Sequence, residues 1–204
     1  MPLFGPHTHR HDHKHSRLID MLIKYHDSGD YLKDHKLAAS LALEQLNRLE
    51  KLPENPALVL DIDETSLFNN WSKLIDPIHG YDEEKWNEQI KNADAPPIET
   101  TLVVFNACRE RGFECFFITG RPEHQREYTV KNLEKAGFGA FKELFLEPEG
   151  ANYPSASLYK TERRKQITDQ GYNIVLNMGD QQSDLAGGLS QVTYKLPNPF
   201  YFIS

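Results

Sequence analysis

The sequence predicts an α/β fold: a doubly wound parallel sheet with a small helical insertion and helices ahead of its first strand. Two observations carry this expectation. From residue 57 onward, short apolar runs alternate with helix-length amphipathic segments, the rhythm of strand-helix-strand units. The runs themselves, such as ALVL and CFFI, are apolar at every position, as strands covered on both faces are. A chain of 204 residues, 39% of them hydrophobic, has material for one core and one domain.

The elements follow in order. Residues 1–16 (MPLFGPHTHRHDHKHS) are polar, with histidines at 7, 9, 11, 13 and 15, and read as a disordered tail. Alternate histidines would chelate a transition metal if that segment were extended. Residues 17–27 and 30–51 read as two amphipathic helices broken by Ser28-Gly29. Leu37, Leu41 and Leu46, with Ala38 and Ala42, form the apolar stripe of the second. ALVLDID (57–63) reads as a buried strand, IETTLVVFNACRERG (98–112) as a helix closed by glycine, and ECFFITG (114–120) as the next strand. PEHQREYTVKNLEKAG (122–137) starts with proline and ends with glycine, as helices do. ELFLEP (143–148) and NIVLNMGD (173–180) read as strands, with the helix SLYKTERRKQITDQG (157–171) between them. VTYKLPN (192–198) reads as an edge strand, because proline is excluded from a central one. The stretch 66–97 is too long for a plain connection, so the single domain of 17–204 is expected to carry an insertion there. YDEEKWNEQIKNA within it looks helical, and Trp71, Tyr81 and Trp86 give it aromatic surface.

Charge narrows the function classes. A formal net charge of −7 and a pI of about 5.7 offer no electrostatic footprint to a nucleic-acid polymer. A metal and a few local cations can still hold a small phosphate ester. Cys108 and Cys115 form no CxxC motif and read as small core residues. No apolar run approaches the roughly 20 residues of a membrane span, so no membrane partner is expected. The N-terminus has no apolar signal core and no lipobox cysteine. The expected location is cytoplasmic, or secreted or periplasmic if a leader has been removed.

Open α/β sheets bind ligands beyond the carboxyl ends of their strands, so polar residues there carry the chemistry. Those ends read Asp61-Ile62-Asp63-Glu64-Thr65, Thr119-Gly120-Arg121, and Gly179-Asp180 followed by Asp184, with Lys160 in the segment before the last. In extended backbone Asp61 and Asp63 face the same way and address one substrate. So many acids in one crevice call for a cation, and Mg²⁺ takes oxygen ligands. Asp61 can then attack phosphorus to form an aspartyl-phosphate. Asp63 can protonate the leaving oxygen and later deprotonate the attacking water. Thr119, backbone N–H groups at Gly120 and the Lys160 ammonium can hold the phosphoryl oxygens. Singly, each has an ordinary explanation: a strand-end Asp caps a helix, a GD pair makes a turn, a lysine is solvated. Their joint occurrence at successive strand ends points to a site.

DIDET (61–65), Thr119 in FFITGRP, Lys160 in YKTERR and GDQQSD (179–184) resemble, in that order, the four motifs of the haloacid-dehalogenase (HAD) superfamily. LVLDIDETSLFNN, GYNIVLNMGDQQSDL and YKLPNPFY extend the resemblance to its acid phosphatase branch, subfamily IIIB. That branch takes in plant acid phosphatases, plant vegetative storage proteins and bacterial class C acid phosphatases. The likeness runs from about residue 30 to the C-terminus. It implies a HAD-like Rossmannoid core with a small cap, and a Mg²⁺-dependent phosphomonoesterase. It implies Asp61 as nucleophile and Asp63 as general acid and base. It implies Mg²⁺ on the Asp61 carboxylate, the Asp63 backbone carbonyl and Asp180, with Asp184 close by. Bacterial members often hold nucleotides or other aryl phosphates in an aromatic-lined pocket, to which Trp71, Tyr81 or Trp86 would contribute here. The acidic GYDEEKW argues against polyphosphates. Class C members are typically lipoproteins; with no lipobox in these residues, outer-membrane anchoring is not implied. The alternatives are a phosphotransferase, in which an alcohol intercepts the aspartyl-phosphate, and a non-catalytic storage or binding protein, against which Asp61 speaks. A dehalogenase would lack Asp63. The oligomeric state is left open, a homodimer included.

Overall fold

The structure, a computed structural model, describes the backbone of residues 9–69, 74–76 and 80–203, and side chains from residue 17 onward except at 75–76 and 80–81. In chain order the elements begin with helices α1 (His9–Asp27) and α2 (Asp30–Arg48) and strand β1 (Pro56–Leu60). The insertion holds strands β2 (Ile75–Asp76) and β3 (Gly80–Tyr81) and helix α3 (Glu83–Asn92). Then come α4 (Glu99–Glu110), β4 (Glu114–Pro122), α5 (Arg126–Lys135), β5 (Glu143–Glu147), α6 (Ala156–Asp169), β6 (Asn173–Gly179), the short α7 (Gln182–Leu185) and β7 (Ser190–Lys195).

Five strands pair in the order β5-β4-β1-β6-β7, all parallel. Successive side chains of a strand point to opposite faces, so a run apolar throughout feeds two cores. Leu58, Leu60, Cys115, Phe117 and Leu144 pack under α2, α4 and α5, against Ala42, Leu46, Phe105, Cys108 and Leu133. Ala57, Val59, Phe116, Ile118 and Phe145 face the other way, against Tyr159 and Ile167 of α6. Helices on both faces make the sheet doubly wound, as expected. Both cysteines are buried and free.

Three local differences from the expected elements have physical reasons. First, α1 starts at His9, so residues 9–16 are helical where a disordered tail was expected. No proline or glycine stands between Pro6 and Gly29, so a helix formed over 17–27 propagates upstream. The extended backbone that alternate-histidine chelation needs is therefore not adopted over 9–15. Gly29, at φ 82, makes the left-handed break between α1 and α2. Second, the insertion holds an antiparallel pair, β2 with β3, beside the expected helix. Two residues per strand are too few to show a period. Asp82 caps α3 by accepting from the Lys85 N–H at 3.1 Å. Third, β1 ends at Leu60, before the two acids, because the chain curls at once. The Ile62 carbonyl accepts from the N–H groups of Thr65, Ser66 and Leu67. Glu64 takes φ 58 in that curl, a left-handed conformation that a side chain resists. It is held there by the Tyr31 hydroxyl from α2 and by the Asn69 N–H at 2.9 Å, both donating to its carboxylate. Among the described residues, no helix is long and apolar enough to cross a membrane.

Candidate active site

Beyond the carboxyl ends of β1, β4 and β6 lies a cavity of about 550 Å³. Asp61, Asp63, Thr119, Gly120, Lys160 and Asp180 all line it, so residues from three strand ends and one helix share one cavity. Asp184 stands behind Lys160. Trp86 reaches the cavity from α3, whereas Trp71 lies outside the described residues, as does the Tyr81 side chain.

One half of the floor is an acid cluster. Asp61, Asp180 and Asp184 are buried, and each offers a carboxylate oxygen within 4.8 Å of the others. Lys160, on α6, donates to Asp61 Oδ1 at 2.7 Å and to Asp184 Oδ1. Ser155 starts that helix by accepting from the Leu158 N–H at 3.3 Å, which sets Lys160 facing inward on the second turn. Gln181 and Asn198 donate their amide N–H groups to Asp180 Oδ2 at 2.7 and 2.6 Å, fixing its orientation. The Gln181 backbone N–H holds Asp184 Oδ2 at 2.7 Å. Gly179 is required by this packing, since a Cβ there would lie 2.2 Å from Asp184 Cβ.

The charges of the cluster do not balance. Burial raises the Asp61 pKa well above the ordinary carboxylate range; Lys160 opposes this, while Asp184, Asp180 and Asp63 add to it. Burial and Asp184 likewise raise Asp180 against its amide donors. Burial works against the Lys160 charge, but Asp184 and Asp61 outweigh it and keep the ammonium protonated. One lysine cannot neutralise three carboxylates at this range, so the oxygen donor set fits a hard divalent cation.

The other half of the floor is a neutral pair. Arg121 forks onto Asp63, Nε to Oδ2 at 2.9 Å and Nη2 to Oδ1 at 2.6 Å. The Asp63 carboxylate thus stands apart from the acid cluster. Arg121 Nη1 donates to Thr129 Oγ1 of α5 at 3.2 Å, and the Trp86 ring lies 6.0 Å from the guanidinium. Thr119 Oγ1 accepts from the Arg121 N–H at 3.1 Å, which ties the two strand-end residues together. Asn69 Nδ2 also donates to Asp63 Oδ1, at 3.2 Å. The sequence reading gave Arg121 and Asn69 no role, although Arg121 was visible at a strand end.

The rest of the cavity wall is apolar and comes from outside the sheet. Ile19 and Leu22 of α1 face Phe200, Tyr201 and Ile203 of the C-terminal segment across it. Nothing in the sequence distinguished these residues from ordinary core. His26 stacks on Phe68 at 4.6 Å, and Tyr31 lies 5.3 Å from Phe200, which joins α1, α2, the curl after β1 and the C-terminal segment in one aromatic cluster.

Residues 10–204 match the family model described as HAD superfamily, subfamily IIIB (acid phosphatase). The chain is 37% identical over 149 residues to Acid phosphatase 1 of Solanum lycopersicum, covering 71% of this chain and 58% of that protein. It is 36% identical over 195 residues to the stem 28 kDa glycoprotein of Glycine max, covering 91% of this chain and 74% of that one. The chain therefore spans little more than half the length of the tomato relative. Among solved structures it is similar to the class C acid phosphatase from Bacillus anthracis, with a TM-score of 0.76 and 23% identity, over 92% of this chain and 86% of that one. At that identity the likeness bears on the fold.

Proposed function

The chain belongs to subfamily IIIB of the HAD superfamily, the acid phosphatases, and from that premise we propose that it is a Mg²⁺-dependent phosphatase of small phosphomonoesters working through an aspartyl-phosphate. The observation that carries this reading is the buried Asp61–Lys160 ion pair on the cavity floor, with Asp180 and Asp184 beside it. Asp61, the Asp63 backbone carbonyl and Asp180, with Asp184 close by, would hold Mg²⁺, which would supply the positive charge that the acids and an incoming phosphate both need.

Asp61 attacks phosphorus while the bond to the leaving oxygen breaks. The electron pair goes to that oxygen, which takes the proton that Asp63 carries into this step as a carboxylic acid, and Arg121 faces the carboxylate left behind. Water then attacks the Asp61-bound phosphorus, and Asp63 takes a proton from it. The bond to Asp61 breaks, its electron pair returns to the carboxylate, and inorganic phosphate leaves. Lys160 steers Asp61 through its Oδ1, and the Thr119 hydroxyl steadies a phosphoryl oxygen. The leaving group lies against Leu22, Trp86 and Tyr201, a wall suited to nucleotides or aryl phosphates, and the cavity of about 550 Å³ has room for one.

Hydrolysis of p-nitrophenyl phosphate tests the reading, with and without Mg²⁺ and beside Asp61→Asn. The expected result is metal-dependent turnover that Asp61→Asn lowers by about 10⁴-fold or more. Folded wild-type protein inert with Mg²⁺ on aryl and nucleoside phosphates alike would sink it.

A further inference from the structure

Asp63 is gripped from two sides, and one of them is the insertion. Gln89, on α3, donates its Nε2–H to Asn69 Oδ1 at 2.7 Å. Asn69 in turn donates its Nδ2–H to Asp63 Oδ1 at 3.2 Å. A carboxylate only accepts, so Asn69 must present its NH₂ to Asp63 and its carbonyl oxygen the other way. That oxygen then requires a donor, and the Gln89 amide supplies one. The chain of groups has a single direction that satisfies every member. Asn69 cannot drift to accommodate another arrangement. It is fully buried, its backbone N–H is tied to Glu64 Oε1 at 2.9 Å, and His26 Nε2 donates to its carbonyl at 3.3 Å.

The contacts of the two Asp63 oxygens differ as a result. Oδ1 takes donors from both Arg121 and Asn69, whereas among the described residues Oδ2 takes one from Arg121 Nε. Arg121 gives each oxygen one donor, the closer one to Oδ1. The second donor on Oδ1 comes from Asn69, and Asn69 is oriented by Gln89.

We propose that Gln89 is a positioning residue for Asp63: acting through Asn69, the insertion helix anchors Oδ1 and so leaves Oδ2 to exchange the proton with the leaving oxygen. The proposal rests on the reading of Asp63 as general acid and base. It gives the insertion a part in the proton transfer, beside its part in the cavity wall.

Leaving groups of different basicity separate this role from a merely structural one. A good leaving group departs with little help from an acid, and a poor one needs it. The measurement is kcat/KM on p-nitrophenyl phosphate, phenyl phosphate and an alkyl phosphate, with Mg²⁺ present. The variants are Gln89→Met, which removes the donor at similar length, and Gln89→Glu, which sets an acceptor against Asn69 Oδ1. Asp63→Asn is run beside them. Gln89 is half-buried, so both of its variants are expected to melt within about 2 °C of wild type. The expected result is a loss of about 10-fold on the phenyl and alkyl esters and under about 3-fold on the p-nitrophenyl ester. Equal loss on all three, or none, overturns the proposal, and Asp63 keeps its assigned role if Asp63→Asn itself discriminates among the esters. If Asp63→Asn slows all three equally, the general-acid reading falls and takes the proposal with it.

Discussion

Asp61, Thr119 and Asp180 stand on the cavity floor because neighbouring strands end there, whereas Leu22, Trp86 and Tyr201 stand on its rim because a helix, an insertion and a C-terminal segment arrive there from elsewhere. The floor is charged, and each of its groups is held by a named donor or counter-charge. The rim is mainly apolar and held largely by packing, the aromatic cluster around Phe68 and Phe200 included, with Gln181 tying it to the floor through the Tyr201 carbonyl and the Ile203 N–H. Electrostatic placement is unforgiving of small changes, since a misdirected charge in a buried site costs several kcal/mol. Apolar packing tolerates substitution at lower cost. The two regions should therefore answer mutation differently, the floor through turnover and folding, the rim through the choice of substrate.

After Asp61→Asn, Lys160→Met should have the largest effect. It removes the lysine that pairs with the Asp61 and Asp184 carboxylates, so turnover should fall by about 10³-fold. Stability without Mg²⁺ should fall by about 3 kcal/mol or more, read from urea melts. Part of that loss should return on adding Mg²⁺; a variant indifferent to the cation would break the picture of a charge-limited floor. The double variant Ile19→Ala/Leu22→Ala should act on the rim alone. Its KM for aryl phosphates should rise about 10-fold, with kcat within about 2-fold and alkyl phosphates little affected. A fall in kcat on both ester types would mean that the rim is coupled to the floor after all.

The smallest effect on turnover should come from acid. His35 of α2 is buried, and its Nε2–H donates to the Pro197 carbonyl at 3.1 Å, just ahead of the rim residues Phe200 and Tyr201. Burial, and Lys195 nearby, lower its pKa from 6.5 to about 4, against the pull of Asp34 and the Pro197 carbonyl. The unfolded chain thus binds the proton more tightly than the folded one. The contribution is whole above pH 6.5 and is lost as the pH falls toward 4, at about 1.4 kcal/mol per unit within that window. Nδ1, which has no hydrogen-bond partner among the described residues, would become a buried orphan donor on protonation. Replacing His35 by Gln should flatten the pH dependence of the melting temperature over that range; an unchanged slope would assign the acid sensitivity elsewhere.

The same division governs what could be read from residues alone. Asp61, Thr119, Lys160 and Asp180 were legible because a parallel sheet puts strand ends in one place, whatever the loops do. Arg121 was in view but unassignable, since its partner Asp63 lies 58 residues earlier and the pairing exists only once β1 and β4 are side by side. Asn69 and Gln89 sit in an insertion whose path no local period announces. Ile19 and Leu22 belong to an ordinary amphipathic helix, and its apolar face looks the same whether it covers a core or a substrate. The start of α1 at His9 and the β2–β3 pair escaped for a related reason, because propagation and two-residue pairing leave no pattern to count.

The strand that leads into Asp61 pairs on one side with β4 and on the other with residues 173–178 of β6. During synthesis its second edge therefore has no partner until most of the chain has emerged. At the usual pace of roughly 5–20 residues per second, an apolar backbone edge waits on the order of ten seconds at the ribosome. Such an edge is a template for pairing with other chains. The arrangement that gathers the acids at the centre of the sheet thus also leaves its central strand half-paired until late in synthesis.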